Sequence, residues 1–272
     1  MKKKQKKILI FSGTHPRHLY VNSAFLNFEN FEIKIIVMRR ESLMPSSKNI
    51  KNLDDKKNFI KHFTTRSKKE KMLYGDLDYR DVYKGKNFIV CSPKNLNSKK
   101  TYNIIKKFKP DLSFIFGVDI IKDPILRFIK KKNINLHLGL SPWYKGSATL
   151  FWPFYFLQPH YAGATFHRIT ENFDEGPILH QTLSKLRVGQ GIHDVANNVI
   201  ISSKKDLIKI LKKFEKNIKF NFKLQKKHGR VFYTNTFKPH HLKIIYSLFK
   251  DKIVDYHLKY GSKRKLKLVK FV

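Results

Sequence analysis

Residues 135–181 read NLHLGLSPWYKGSATLFWPFYFLQPHYAGATFHRITENFDEGPILHQ, and the rest of the chain is most easily interpreted around them. Asn135 and His137 follow an apolar run directly, and Asp174 stands just before a Gly-Pro turn. Side chains two residues apart on an extended strand point to the same side, so we expect the amide and the imidazole to face one site. An amide, an imidazole and a carboxylate can together polarise a carbonyl group and move a proton.

Short apolar runs alternate with segments of helical pattern on both sides of this stretch. Strands are predicted at residues 7–12, 31–37, 87–91, 112–117, 134–136, 164–169 and 177–186. Helices are predicted at 21–29, 97–108, 124–132 and 192–214, and the polar segment 38–86 is predicted as a helical excursion. This alternation predicts an α/β fold with a Rossmann-like, mainly parallel sheet flanked by helices. We expect a catalytic domain at 1–190 and a short, mostly helical, Lys-rich appendage at 191–272.

The chain of 272 residues is strongly basic, with a formal net charge of +37. Such a charge attracts polyanions, for example tRNA, nucleotide-linked substrates or an anionic membrane surface. The basic residues are mostly Lys and are scattered, whereas a dedicated RNA-binding face more often clusters Arg and aromatic residues. This distribution favours compositional drift, with attraction for phosphates as a by-product.

Several other classes of protein are disfavoured by simple counts. A single cysteine, Cys91, excludes an intramolecular disulfide and a Cys-based zinc cluster. The His pairs at 15–18 and 240–241 lack the helical spacing with a carboxylate that zinc hydrolases show, so we expect no metal. No apolar run approaches the roughly 20 residues that span a bilayer. The apolar run near the N-terminus is too short for a signal peptide, and we expect a cytoplasmic protein.

The first predicted strand ends at a glycine and is followed by a basic loop. A strand, a Gly-containing turn and a helix begin a βαβ unit, in which the helix N-terminus can receive an anion. Gly13, Thr14 and Arg17 are therefore candidates for binding a phosphate or carboxylate of a substrate. Neither dinucleotide-binding nor P-loop glycine spacing is present. In the alternative interpretation, Gly13 serves only a tight turn.

Four pieces of the central stretch recur in a known order. They are NLH at 135–137, SPWYKG at 141–146, GAT at 163–165 and DEGPIL at 174–179. Together they resemble the folate-dependent formyltransferases, over about residues 112–183. The resemblance implies the formyltransferase fold and transfer of a formyl group from 10-formyltetrahydrofolate to an amine. It also implies that Asn135, His137 and Asp174 are the catalytic trio.

The chemistry of these three side chains suits that reaction. Asn135 can donate its amide N–H to the oxyanion that forms on the formyl group. His137 can stabilise the oxyanion as a cation, or accept the proton of the attacking amine as a neutral ring. Asp174 can hold the imidazole and raise its pKa, or order a water that relays the proton.

The resemblance also implies where folate and acceptor bind. Folate is expected against the backbone before the catalytic Asn and the loop before the catalytic Asp; the candidates are Phe116, Gly117, Val118, Ile120, Ile121, Thr170 and Phe173. For the two isoleucines, core packing is the alternative. Aromatic faces can stack on a nucleobase or a sugar, so the candidate acceptor-binding residues are Trp143, Tyr144 and Lys145 together with Gly13, Thr14 and Arg17.

The turn after His137 indicates which amine is formylated. Family members that act on a glycinamide or on methionyl-tRNA commonly read HPSLLP, whereas this chain reads HLGLSP. With the GSAT segment that follows, it resembles a branch associated with modified sugars of surface polysaccharides. We therefore expect a small phosphorylated acceptor, namely an amino-sugar nucleotide.

Other acceptors stay open. Methionyl-tRNA suits the net charge, although the tail lacks the strand-rich pattern of the domain that the tRNA enzymes append. Phosphoribosylglycinamide suits the chain length, and water would give formylfolate hydrolysis. Outside this class, the chain could be a basic nucleic-acid-binding protein with a decayed enzyme fold. The sequence leaves the oligomeric state open.

Overall fold

The computed structural model describes residues 5–40, 42, 44–226, 229–262 and 265–272. Within them the strands are β1 (Lys6–Gly13), β2 (Phe31–Met38), β3 (Asn87–Cys91), β4 (Leu112–Phe116), β5 (Asn133–His137), β6 (Tyr144–Gly146), β7 (Gly163–His167), β8 (Ile178–Leu183) and β9 (Arg230–Phe232). The α-helices are α1 (Pro16–Asn22), α2 (Leu53–Tyr74), α3 (Tyr79–Val82), α4 (Lys99–Phe108), α5 (Ile125–Ile129), α6 (Trp152–Tyr155), α7 (Ile192–Glu215) and α8 (Ile253–Tyr260). A π-helical turn covers Ile244–Leu248.

Seven strands form one sheet in the order β3-β2-β1-β4-β5-β7-β8. The first five are parallel, and β7 and β8 are antiparallel. In β1, Ile8 and Ile10 face one core while Leu9 and Phe11 face another, as expected for a strand covered by helices on both sides. The prediction of a mainly parallel sheet flanked by helices, with a C-terminal helical part, is confirmed.

The first helix differs from the prediction of residues 21–29. It begins at Pro16, whose fixed φ suits a first helical position, and it ends at Asn22. The Asn22 side chain is buried and donates to Ser12 Oγ at 2.8 Å, which ties the end of the helix to β1. A 3₁₀ turn, Ser23–Asn27, follows in place of further α-helix.

The polar excursion between β2 and β3 contains the long helix α2. Asn52 caps it by accepting a hydrogen bond from the Asp55 backbone N–H at 3.0 Å, and Asp54 and Asp55 suit its positive N-terminal end. Helix α2 packs against α1 and α7. The excursion therefore adds a helix beside the carboxyl end of β1.

Helix α7 packs against the main sheet. Val199, Leu207 and Leu211 lie in the same core as Ile8 and Ile10 of β1. The segment after α7 contributes to a second core, which contains Phe232 and Tyr246. The division into 1–190 and 191–272 stays a prediction.

Candidate active site

Strands β5 and β7 bring the central polar residues together. Asn135 and His137 lie on β5, and the antiparallel register places His167 opposite Asn135 and Thr165 opposite His137. Asp174 lies in the connection between β7 and β8, in a left-handed backbone conformation with a φ of 51°. Gln225 secures this connection, because its side-chain amide donates to the carbonyl groups of Asp174 and Gly176 at 2.7 Å each.

The Asp174 carboxylate has three neighbours. Its Oδ2 accepts from the Gly146 backbone N–H at 2.8 Å and lies 3.3 Å from His137 Nδ1. Its Oδ1 lies 3.3 Å from His167 Nε2. Burial by itself would raise the pKa of Asp174, but His137, His167 and the Gly146 N–H hold that pKa well below its usual range. The group is therefore a carboxylate at neutral pH.

His137 lies between two acceptors. Nδ1 faces the Asp174 carboxylate, and Nε2 lies 3.0 Å from the Tyr144 carbonyl oxygen. Burial lowers the pKa of His137, while the charge of Asp174 acts in the opposite direction. A neutral ring can donate to only one of the two acceptors, whereas a protonated ring satisfies both. The two acceptors thus match the two N–H groups of a protonated ring, while burial keeps the pKa of His137 below its usual value.

His167 is a member of this cluster that the sequence analysis missed. The ring is buried, with Nδ1 2.8 Å from the Arg168 carbonyl oxygen and Nε2 3.0 Å from Asn135 Nδ2. Nε2 can accept an N–H of Asn135 when the ring donates from Nδ1, or donate to Asp174 when it carries the proton itself, so His167 links the amide to the carboxylate. The available signal was the spacing of His167 two residues after Thr165, which places both on one face of β7.

Strands β6 and β9 pair with each other, and β6 contains Gly146, whose N–H binds Asp174. Gly146 has a φ of 88°, and a Cβ atom there would lie 2.2 Å from the Phe232 carbonyl oxygen. Only glycine permits both the conformation and this close approach. The Ser147 N–H donates to the same carbonyl at 2.6 Å, and the Tyr144 ring stacks on Phe232. The C-terminal segment is therefore part of the site.

A cavity of about 1230 Å³ opens in front of these groups. Asn135, His137 and Asp174 all line it. Cavities that hold one small molecule measure roughly 300–1,000 Å³, so this one has room for two substrates. Its wall includes the ends of β4 and β5, helix α2, the start of α7 and the segment Val231–Thr234.

The candidate folate residues divide into two groups. Five line the cavity: Phe116, Gly117, Val118, Ile120 and Phe173. Ile120 and Phe173 are 51% and 46% exposed, which is high for apolar side chains and suits contact with a flat ligand. Ile121 instead lies in the core against α4 and α5, and Thr170 is exposed outside the cavity wall.

The candidate acceptor residues are more dispersed. Arg17 lines the cavity and forms an ion pair with Glu70 of α2. The other five lie outside the cavity wall: Gly13, Thr14, Trp143, Tyr144 and Lys145. The Tyr144 hydroxyl donates to Gln158, and Lys145 is buried in an ion pair with Glu175. The binding roles of all these residues stay predictions.

Two other kinds of site are absent from the described residues. In the described ranges, no three His, Cys, Asp or Glu side chains are gathered as a metal would need. Among those same residues, no helix has both the length and the apolar character required to cross a membrane.

Comparison with known proteins agrees with the fold. The profile of the formyl transferase family matches residues 33–211. This chain belongs to the formyl transferase family. Membership of this family disfavours a non-catalytic nucleic-acid-binding protein.

Relatives of this chain match it only in part. It is 37% identical over 98 residues to the bifunctional polymyxin resistance protein ArnA of Wigglesworthia glossinidia brevipalpis, and the aligned segment covers 36% of this chain and 15% of that protein. It is 34% identical over 86 residues to a GDP-perosamine N-formyltransferase of Brucella melitensis biotype 1, and the aligned segment covers 31% of this chain and 33% of that protein. The chain thus spans a third or less of the length of these relatives.

Solved structures match over more of this chain. A 4-N formyltransferase from Francisella tularensis superimposes with a TM-score of 0.56 at 16% identity, over 86% of this chain and 78% of the other. At this identity the likeness shows the fold alone.

Proposed function

We propose that this formyl transferase moves the formyl group of 10-formyltetrahydrofolate to the primary amine of a nucleotide-linked amino sugar. One observation carries the proposal: Asn135, His137 and Asp174 line a cavity that has room for two substrates, and the Asp174 carboxylate contacts both His137 and the buried His167. The name of the Brucella relative, which specifies GDP-perosamine, supports a sugar-nucleotide acceptor.

The residues at the end of β4 fit a folate. The segment from Phe116 to Ile120 lies along the cavity and offers backbone donors and acceptors to a pterin ring. Ile120 and Phe173 present exposed apolar surface to the same cavity. Bound here, 10-formyltetrahydrofolate would supply the formyl carbon at which the amine attacks.

The trio would then divide the work as follows. Asn135 keeps one amide N–H for the oxygen of the formyl group, while its contact with His167 holds the amide in place. His137 is neutral before the reaction, because burial lowers its pKa, and it accepts the proton of the amine. Asp174 stays ionised and stabilises the protonated ring, whose two N–H groups then donate to Asp174 and to the Tyr144 carbonyl.

The test is release of tetrahydrofolate from 10-formyltetrahydrofolate in the presence of single amines. The panel contains 4-amino and 3-amino deoxysugar nucleotides, glycinamide ribonucleotide and methionyl-tRNA. We expect turnover with an amino-sugar nucleotide, and a loss of about 10²–10⁴-fold in His137→Ala. Turnover only with methionyl-tRNA or glycinamide ribonucleotide would reassign the acceptor. Absence of both folate binding and turnover would refute the proposal.

A further inference from the structure

One end of the cavity is lined by two arginines, Arg17 and Arg66, and by one carboxylate, that of Glu70. Arg17 Nη2 lies 2.9 Å from Glu70 Oε1, and these side chains are only 15% and 5% exposed. Arg66 lies one turn before Glu70 on α2, with its guanidinium 4.7 Å from the centre of the Phe63 ring. Among the described residues Arg66 forms no ion pair, although it lines the same cavity.

The hydrogen bonds of these arginines are also incomplete. The Nε atoms of Arg17 and Arg66 are both buried and lack a hydrogen-bond partner in the described part of the chain. A buried charge or N–H without a partner is costly, so such groups are normally paired. Burial and the charge of Arg17 lower the pKa of Arg66 to about 10, against the opposing effect of Glu70, and Arg66 is still a cation at neutral pH. This end of the cavity therefore lacks one negative charge.

The imidazole groups around Arg66 add no positive charge. Burial is the main cause that lowers the pKa values of His15 and His193 to about 3 and that of His62 well below its usual range. The Tyr246 hydroxyl lies 2.9 Å from His62 Nδ1 and 3.3 Å from His193 Nε2, which orients both neutral rings. The attraction for an anion at this end rests on the two guanidinium groups.

We infer that Arg66 and Arg17 bind the diphosphate of a nucleoside diphosphate that carries the acceptor sugar. Glu70 positions the Arg17 guanidinium and balances its charge in the free protein. The inference rests on the proposed function for the identity of the sugar, and it extends that function by naming the anion and its ligands. Guanidinium groups are suited to this role because they bind phosphate oxygens in a bidentate manner.

The sheet places this anion site at a suitable distance from the trio. Arg17 follows β1, and Asn135 and His137 lie on β5, with only β4 between these strands. Two strand spacings amount to roughly 10 Å. A sugar ring linked to a phosphate spans a gap of this order, so a diphosphate on Arg17 and Arg66 would direct the sugar towards His137.

The experiment measures binding of GDP, UDP and dTDP by calorimetry, without folate and without an amine. We expect at least one of them to bind, and Arg66→Gln to weaken its binding tenfold or more. Arg66→Lys should recover only part of the loss, and Glu70→Gln should tighten binding, because it removes the competing carboxylate. Arg80→Gln is the matched control, because Arg80 pairs with Asp78 on the exposed helix α3 and its loss removes the same charge.

Three outcomes would overturn the inference. In the first, no nucleoside diphosphate binds at millimolar concentration. In the second, wild type and Arg66→Gln bind it with equal affinity, and in the third, Arg80→Gln weakens its binding as much as Arg66→Gln does. Inorganic phosphate is included as a probe, and an affinity equal to that of the nucleoside diphosphates would overturn the assignment of a nucleotide. Thermal unfolding of each variant verifies that it is folded.

The result is separable from the proposed function. The variant His137→Ala should bind the nucleoside diphosphate as wild type does, even though it is expected to lose formyl transfer. Arg66-dependent binding without any formyl transfer would keep the anion site and refute the proposed chemistry. Formyl transfer to a phosphorylated sugar at a rate that Arg66→Gln leaves unchanged would keep the proposed chemistry and refute the anion site.

Discussion

Replacing Asp174 with Asn tests the central polar cluster most directly. The change keeps the size of the side chain but removes its charge, and it places an N–H donor where the carboxylate now only accepts. His137 Nδ1 and His167 Nε2 each lie 3.3 Å from this carboxylate, and the Gly146 N–H lies at 2.8 Å. An Asn side chain accepts only at its oxygen and donates at its nitrogen, so it can keep at most part of these three contacts.

The expected magnitude follows from the contact with His137. A hydrogen bond to a charged group contributes about 1.5–3 kcal/mol, and about 1.4 kcal/mol corresponds to tenfold in rate. Loss of this contact alone therefore predicts a fall of about 10–100-fold. Proton transfer by a positioned base contributes about 10²–10⁴-fold, so misplacing the ring extends the expected loss in kcat/KM into that range.

The pH dependence has a definite sign. Because neutral His137 is the proposed base, activity should decline on the acid side of its pKa, which burial places below the usual value of about 6.5. Asp174→Asn removes the negative charge that favours the protonated ring, so the acid limb should move to still lower pH. NMR titration of the His137 ring measures the same shift without any acceptor.

The matched control is Asp206→Asn. Asp206 Oδ2 lies 3.1 Å from His180 Nε2 and accepts from Thr182 Oγ1 at 2.8 Å, outside the cavity wall. The assay is tetrahydrofolate release with the amine that turns over. We expect Asp206→Asn to leave kcat within about threefold of wild type. Equal rates in wild type and Asp174→Asn, or an acid limb that moves to higher pH, would refute the reasoning.

Three further predictions concern the scaffold. Gly146→Ala should abolish activity, because a Cβ atom would meet the Phe232 carbonyl and displace the N–H that binds Asp174; unchanged kcat would contradict this. Leu207→Ala, in a fully buried position, should cost about 2–5 kcal/mol in a single urea transition; a separate transition for residues 191–272 would instead support an independent domain. Burial would raise the pKa of Asp206, but hydrogen bonds from His180 and Thr182 lower it to about 2, so its stabilisation should be present above about pH 4 and lost towards pH 2. Urea midpoints from pH 7 to 3 should therefore fall less steeply in Asp206→Asn than in wild type.

Much of the fold was predictable from local pattern. A buried parallel strand such as β1 reads as an uninterrupted apolar run, because helices cover both of its faces. The trio was also visible, since Asn135 and His137 share one strand and Asp174 belongs to a contiguous motif. The start of α1 was wrong because the preference of Pro16 for a first helical position outweighs the polar appearance of the loop.

The remainder of the site depends on contacts between distant segments. The antiparallel register of β5 and β7 decides that His167 faces Asn135, and a slip of one residue would turn the ring to the other face of the sheet. The approach of Phe232 to Gly146 and the pairing of Arg17 with Glu70 join segments far apart in the chain. Local propensity determined which elements form, whereas only the packing of those elements decided which polar groups share a buried cavity and which are left without partners.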